Sequence, residues 1–155
     1  MTVVSRRLAE LVRTVSARDV VMGAAATRDW QPQHHDADHA RAMNLPGVIM
    51  NTPTQTGWFH AYAVHCLGNT ARVGRYRLTM LRPVYPGLTL TMSGAVVGCE
   101  PCGLSNRDWV WLDLAMHAGH GTLSTMLLLL IRSSKGADSC GLENGSPTAW
   151  PPLDR

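Results

Sequence analysis

Within the stretch Thr-Arg-Asp-Trp-Gln-Pro-Gln-His-His-Asp, residues 27 to 36, a carboxylate, Asp29, precedes an imidazole, His34, by five residues. A carboxylate and an imidazole converging on one water form a general acid/base pair. Pro32 lies between them, and its ring fixes φ and removes a backbone donor, so no regular helix continues through it. Gln31, just before the proline, is pushed toward an extended conformation. The stretch therefore reads as a shaped loop able to aim both side chains at one point. Taken alone, Asp29 also fits a turn residue bonded to its own backbone.

The elements that must hold this loop can be read on either side of it. Val20–Ala26 is small and apolar and predicts a buried strand running into Asp29. Asp36 is a good N-cap for a short helix over Ala37–Met43, which Pro46-Gly47 stops. Thr52-Pro53-Thr54-Gln55 has capping-box spacing with proline at the first helical position. It predicts a helix to about Leu67, with Gly68 beyond its end. Trp58, Phe59, Tyr62, Ala63, Cys66 and Leu67 follow helical spacing, so this helix is central and buried. After it the chain reads as strands: Val73–Leu81, Leu88–Val97, Trp109–His117 and Thr122–Ile131. Leu8–Val15 fits either a helical turn or an extended lead-in. The fold class expected is α+β, one antiparallel sheet against one long helix. A single domain spans residues 1–132, and the Ser/Gly/Pro-rich residues 133–155 read as a flexible tail.

Composition narrows the partners. A chain of 155 residues has room for one core. The net charge of +3 is mild and its lysines and arginines are scattered, which suits an anionic small ligand and argues against nucleic acid. Met126–Ile131 is the longest apolar run and is far too short to cross a bilayer, so no membrane partner is expected. Met1–Arg13 carries three arginines and a glutamate and no apolar core, unlike a secretory signal. The four cysteines then read as free thiols in a reducing cytoplasm. No metal is expected. His35 and His39 have i, i+4 spacing but fit a solvated face better than a zinc site, and Cys99 and Cys102 form a lone C-x-x-C pair. Trp109 and Trp111 fit sheet packing better than substrate stacking. Arg75 and Arg77 share one strand face by period 2, with Arg82 nearby, and they suit either the charged groups of an anionic ligand or plain solvation.

Residues 27 to about 131 resemble the MaoC-like, hot-dog-fold (R)-specific enoyl-CoA hydratases. That family's motif, Asp-x-Asn-Pro-x-His-x-Asp, is matched by Asp29-Trp30-Gln31-Pro32-Gln33-His34-His35-Asp36, with Gln31 in place of the asparagine. Arg82-Pro83-Val84-Tyr85-Pro86-Gly87-Leu88-Thr89-Leu90 is similar to the family's later Pro-x-x-Pro-Gly turn between strands. Residues 26 to 36, with Asn51-Thr52 and Thr56-Gly57, are similar to the small catalytic subunits of actinobacterial steroid side-chain enoyl-CoA hydratases. Where family members carry His-Gly at the entrance of the central helix, this chain has Asn51-Thr52.

The resemblance implies a curved sheet wrapped around the central helix. It also implies a hydro-lyase adding water to a 2-enoyl-CoA, in the steroid side-chain subfamily a bulky steroid-derived thioester, in which Asp29 and His34 share the water. The Thr52 backbone N–H becomes the oxyanion donor, with Asn51, Arg75, Arg77 and Arg82 as candidate substrate or CoA contacts. No cofactor is implied beyond the CoA of the substrate. The implied partner is a second hot-dog subunit, either in a homodimer or in a hetero-oligomer with a larger MaoC-like chain. Two alternatives stay open: a hot-dog acyl-CoA thioesterase, and a non-catalytic acyl-CoA-binding subunit.

Overall fold

The computed structural model describes residues 6–68, 71–103, 106–119 and 121–133. Two short strands, β1 (Arg6–Arg7) and β2 (Leu11–Thr14), lead into helix α1 (Ala17–Ala26). One 3₁₀ turn (Pro32–His34), helix α2 (Ala37–Ala42) and the long helix α3 (Thr52–Leu67) follow. Four long strands complete the described chain: β3 (Arg72–Met80), β4 (Thr89–Pro101), β5 (Arg107–Ala118) and β6 (Gly121–Ser133). The tail expected from residue 133 onward lies outside the described residues, except for Ser133, which ends β6.

All strands pair antiparallel in one sheet, in the order β1-β4-β5-β6-β3, with β2 also on β4. One face of that sheet packs on α3. Phe59, Tyr62 and Ala63 of the helix meet Leu90 and Met92 of β4, Leu112, Leu114 and Met116 of β5, and Met126, Leu128 and Leu130 of β6. This is the hot-dog arrangement expected. Period-2 alternation sends Trp109 and Trp111 to the opposite face, where they pack with Leu129 and Ile131. Cys99 joins the helix-side core while Cys102 joins the tryptophan cluster, so the C-x-x-C pair straddles the sheet and both thiols are free.

Two expectations are corrected. Val20–Ala26 belongs to helix α1, not to a strand. Ser16 caps it through a capping box with Asp19, and Val20 and Ala24, four apart, are its buried face. The β-branched pair Val20-Val21 suggested a strand, but the cap and the i, i+4 burial outweigh that propensity. Helix α3 is capped one residue earlier than expected, by Asn51, whose Oδ1 accepts from Thr54 N; Thr52 is its first residue and Pro53 its second. Leu8–Val15 is resolved as extended chain over β2, and Asp36 caps α2 as read.

Candidate active site

Asp29 is set by the way α1 ends. Arg28 N–H donates to Ala25 O (3.1 Å) and Asp29 N–H to Ala24 O (2.9 Å), the double closure of a Schellman motif. The position that usually takes glycine is Arg28, held at φ 55°. Upstream, Gly23 lies so close to α3 that a Cβ there would collide with the Thr54 side chain. Glycine thus lets the end of α1 sit directly on the start of α3.

Asn51 joins the two helices. Its Nδ2 donates to Thr27 Oγ1 (2.8 Å) and Asp29 Oδ2 (3.1 Å), while its Oδ1 accepts from Thr54 N and Thr54 Oγ1. The side chain is 2% exposed, and both its donor hydrogens and its oxygen are engaged within the chain. It aims Asp29 and caps α3 at once.

His34 ends the 3₁₀ turn that Pro32 starts, and is 6% exposed. Its Nδ1 lies 2.7 Å from Ile49 O. A carbonyl oxygen only accepts, so Nδ1 carries the hydrogen and the neutral ring has a bare lone pair on Nε2. That Nε2 faces Asp29 Oδ2 at 3.4 Å. With the ring neutral, Nε2 and the carboxylate oxygen are both acceptors, able to receive the two hydrogens of one water. His35 turns away, donating from Nε2 to Trp30 O at 3.3 Å.

The start of α3 supplies the opposite polarity. A helix N-terminus leaves its first N–H groups without intrahelical partners. Here Pro53 has none and Thr54 N–H is taken by the Asn51 cap. The N–H groups of Asn51 and Thr52 remain, with no partner among the described residues. Asp29, His34, Thr52 and Gln55 line one cavity of about 470 Å³, whose far wall is the end of β3 and the segment Leu81 to Pro83.

Arg82 reaches this cavity, and its guanidinium lies against Gly121, where any Cβ would collide with it. Arg75 and Arg77 are exposed on β3 and do not line the cavity. Sequence reading did not single out Thr27, Gly23 or Gln55 as site residues. For Gln55 a signal was present: it falls at i−4 from Phe59, on the apolar stripe of α3, where a carboxamide breaks the pattern.

Comparison with known proteins fits this geometry. The 3-oxo-4,17-pregnadiene-20-carboxyl-CoA hydratase beta subunit of Mycobacterium tuberculosis is 36% identical over 96 residues, 62% of this chain and 74% of the relative. A chain of the ChsH1-ChsH2 complex from the same organism superposes with a TM-score of 0.76 at 29% identity, over 85% of this chain and 99% of that one. The R-hydratase PhaJ1 from Pseudomonas aeruginosa shares the fold, with a TM-score of 0.71 at 22% identity over 85% and 83% of the two chains. Residues 3–106 match the family described as MaoC like domain, and with the motif side chains converged on one cavity, this chain belongs to the MaoC-like family.

Proposed function

We propose that this chain is the catalytic small subunit of an enoyl-CoA hydratase whose substrate is a bulky, steroid side-chain CoA thioester. The observation that carries the reading is the 3.4 Å approach of two proton acceptors, Asp29 Oδ2 and His34 Nε2, beside a helix end with free N–H groups. Water bound between the acceptors gives one proton to the pair as its oxygen bonds to the β-carbon. The π electrons move toward the thioester, and the enolate oxygen is met by the Thr52 N–H at the positive end of α3. A proton delivered to the α-carbon completes the 3-hydroxyacyl-CoA. Proton transfer and oxyanion stabilisation suffice for this step, so the proposed reaction uses no cofactor and no metal.

A partner subunit belongs to the proposal. Strand β3 is a sheet edge, and Tyr76, Met80 and Leu81 stand exposed along and just beyond it. The same segment walls the cavity, so a second hot-dog subunit on that edge would close the site. Arg82 is the cation suited to the CoA side of the substrate, and Arg75 and Arg77 would meet its phosphates only along this edge. Free thiols at Cys66, Cys99 and Cys102 support a reducing, cytoplasmic setting, and no helix among the described residues is long and apolar enough to cross a membrane.

Asp29→Asn and His34→Ala, each made in the assembled enzyme, test the reading. Both are expected to abolish hydration, seen as persistence of the enoyl-thioester absorbance, while leaving assembly and fold intact. Near-wild-type turnover by both variants refutes the mechanism, and release of free CoA thiol by the wild type points to a thioesterase instead.

A further inference from the structure

Strand β3 ends the sheet, and its two faces differ in character. Val73, Tyr76, Leu78 and Met80 pair with Leu130, Leu128, Met126 and Ser124, on the α3 side of the sheet. Arg72, Arg75 and Arg77 pair with Ile131, Leu129 and Leu127, and so stand on the other face, that of the Trp109 cluster. All three arginines are exposed, and on the apolar face Tyr76 and Met80 are about half exposed. Residues 39–99 contain no aspartate or glutamate. Among the described residues, the carboxylates in register on the arginine face are Asp113 of β5 and Glu100 of β4. They lie two and three strands inward, about 10 and 14 Å at the usual strand spacing.

A second copy of this chain fits that edge badly. Two-fold antiparallel pairing that overlaps all nine residues of β3 centres on Tyr76. Arg75 of each copy then lies directly opposite Arg77 of the other. Centring on Arg75 or on Arg77 sets that arginine against itself, and centring on Leu78 leaves the two Arg77 residues diagonal neighbours. Like charges at cross-strand positions oppose pairing. An edge built only to stay single turns a charge inward or is interrupted by proline. Here the inward face is apolar and every charge lies on the other, so the edge discriminates among strands.

We propose that β3 takes an edge strand from a different chain, one carrying carboxylates on the face turned away from its own helix, and that the β3 arginines reject a second copy of this chain. That any subunit sits on this edge rests on the partner reading above. Aspartates or glutamates at alternate positions of the incoming strand come within about 5 Å of the arginine Cβ atoms, close enough to pair. A partner seated there takes up these charges and leaves the CoA side of the substrate to Arg82.

The test changes the charges on the full chain and follows association by sedimentation equilibrium. Arg75→Glu makes the edge self-complementary, because the new carboxylate of each copy meets Arg77 of the other. This variant should self-associate at least tenfold more tightly than the wild type. Arg75→Glu combined with Arg77→Glu repels its own copy but complements the wild type, so the mixture should associate at least tenfold more tightly than either chain alone. Both gains should shrink as salt rises, and hydrogen exchange should show the β3 amides protected in the associated samples. Arg18→Glu, on the exposed side of α1, should bring no gain. A wild type that pairs through β3 as tightly as the Arg75→Glu chain overturns the charge selection and leaves the partner reading standing. No gain in either experiment, or an equal gain from Arg18→Glu, also overturns it. Association that leaves the β3 amides unprotected removes both the proposal and the partner reading.

Discussion

Asn51→Asp separates the two jobs of the residue at the junction of α1 and α3. Asparagine and aspartate are equally good caps, so the bond from Thr54 N–H to the side-chain oxygen survives. The bond at 3.1 Å to Asp29 Oδ2 does not, because a carboxylate oxygen now replaces the donor nitrogen. At about 4 Å and an effective dielectric near 20, two such charges repel by about 4 kcal/mol. Two carboxylates this close do not both ionise readily, and the pair holds one shared proton through the acid range. That proton restores a hydrogen bond to Asp29 in place of the lost Nδ2–H. Activity should therefore persist in acid and fall as pH rises through the loss of the shared proton, moving the optimum downward from that of the wild type.

Asn51→Ala provides the contrast. It removes the cap, worth about 1 kcal/mol, and strands partners at Thr27, Asp29 and Thr54, at about 1–3 kcal/mol more. The expected loss is about 2–4 kcal/mol, or roughly 6–12 °C in Tm for a chain of this size. Its activity should fall at every pH. The assay is kcat/KM for enoyl-CoA hydration across pH, with Tm by calorimetry on the same samples. An Asn51→Asp enzyme with the wild-type pH profile and kcat/KM would refute the claim that the Asn51–Asp29 bond matters to turnover.

Three further outcomes follow from the same geometry. Gly23→Ala gains helix propensity, about 1 kcal/mol, but drives a Cβ into Thr54 and through it against Asn51. We expect a net destabilisation of about 1–2 kcal/mol with a lower kcat, read by chemical denaturation and turnover. Arg28→Gly relieves a left-handed residue and should stabilise the fold by about 1 kcal/mol, raising Tm by roughly 2–4 °C. His60 is half-buried against the Tyr76 ring, and burial holds its pKa below the ordinary 6.5. Above that value it is neutral in both states and contributes nothing. As pH falls below it the unfolded chain takes up a proton that the folded chain refuses, so stability drops until the lower folded pKa is reached. His60→Gln should flatten that part of a Tm-against-pH curve.

Much of the candidate site's geometry was legible because its parts are local. Asp29, Pro32 and His34 sit within one short loop, and proline forces the turn whatever surrounds it. The strands β3 to β6 were legible from alternation, and α3 from its spacing and its proline. The failures share a cause. Helix α1 was misread because Val20, Val21 and four alanines weigh local propensity against a capping signal, Ser16 with Asp19, that lies just upstream. The cap of α3 was set one residue late because Thr52 and Asn51 are both good caps, and what decides between them is a tertiary fact. Asn51 Nδ2 finds Thr27 and Asp29, 24 and 22 residues away, and no local rule contains that contact. Gln55 was absorbed into a capping box for the same reason, since its burial against Met50 and Met80 depends on where β3 lies.

The position of Asn51 also bears on how the chain does without the His-Gly pair that its resemblance to ordinary MaoC-like hydratases leads one to expect at this helix entrance. A glycine there would give a backbone N–H with open access, and a histidine would add a polar side chain. Here Pro53 and the Asn51 cap remove two of the N–H groups that a helix start offers, leaving Asn51 and Thr52. Thr52 commits its hydroxyl to Met80 Sδ, donating at 3.3 Å, so the side chain does not compete for the cavity's other acceptors. The same methionine sulfur is approached by Gln55 Nε2. Met80 therefore engages the side chains of both Thr52 and Gln55 while standing half exposed on the edge strand, where a partner subunit would press on it. On this view, assembly and catalysis meet at a single side chain. Met80→Ala should free the Thr52 hydroxyl to bond within the cavity and raise KM more than it lowers kcat, whereas a purely structural methionine would lower Tm and leave KM unchanged.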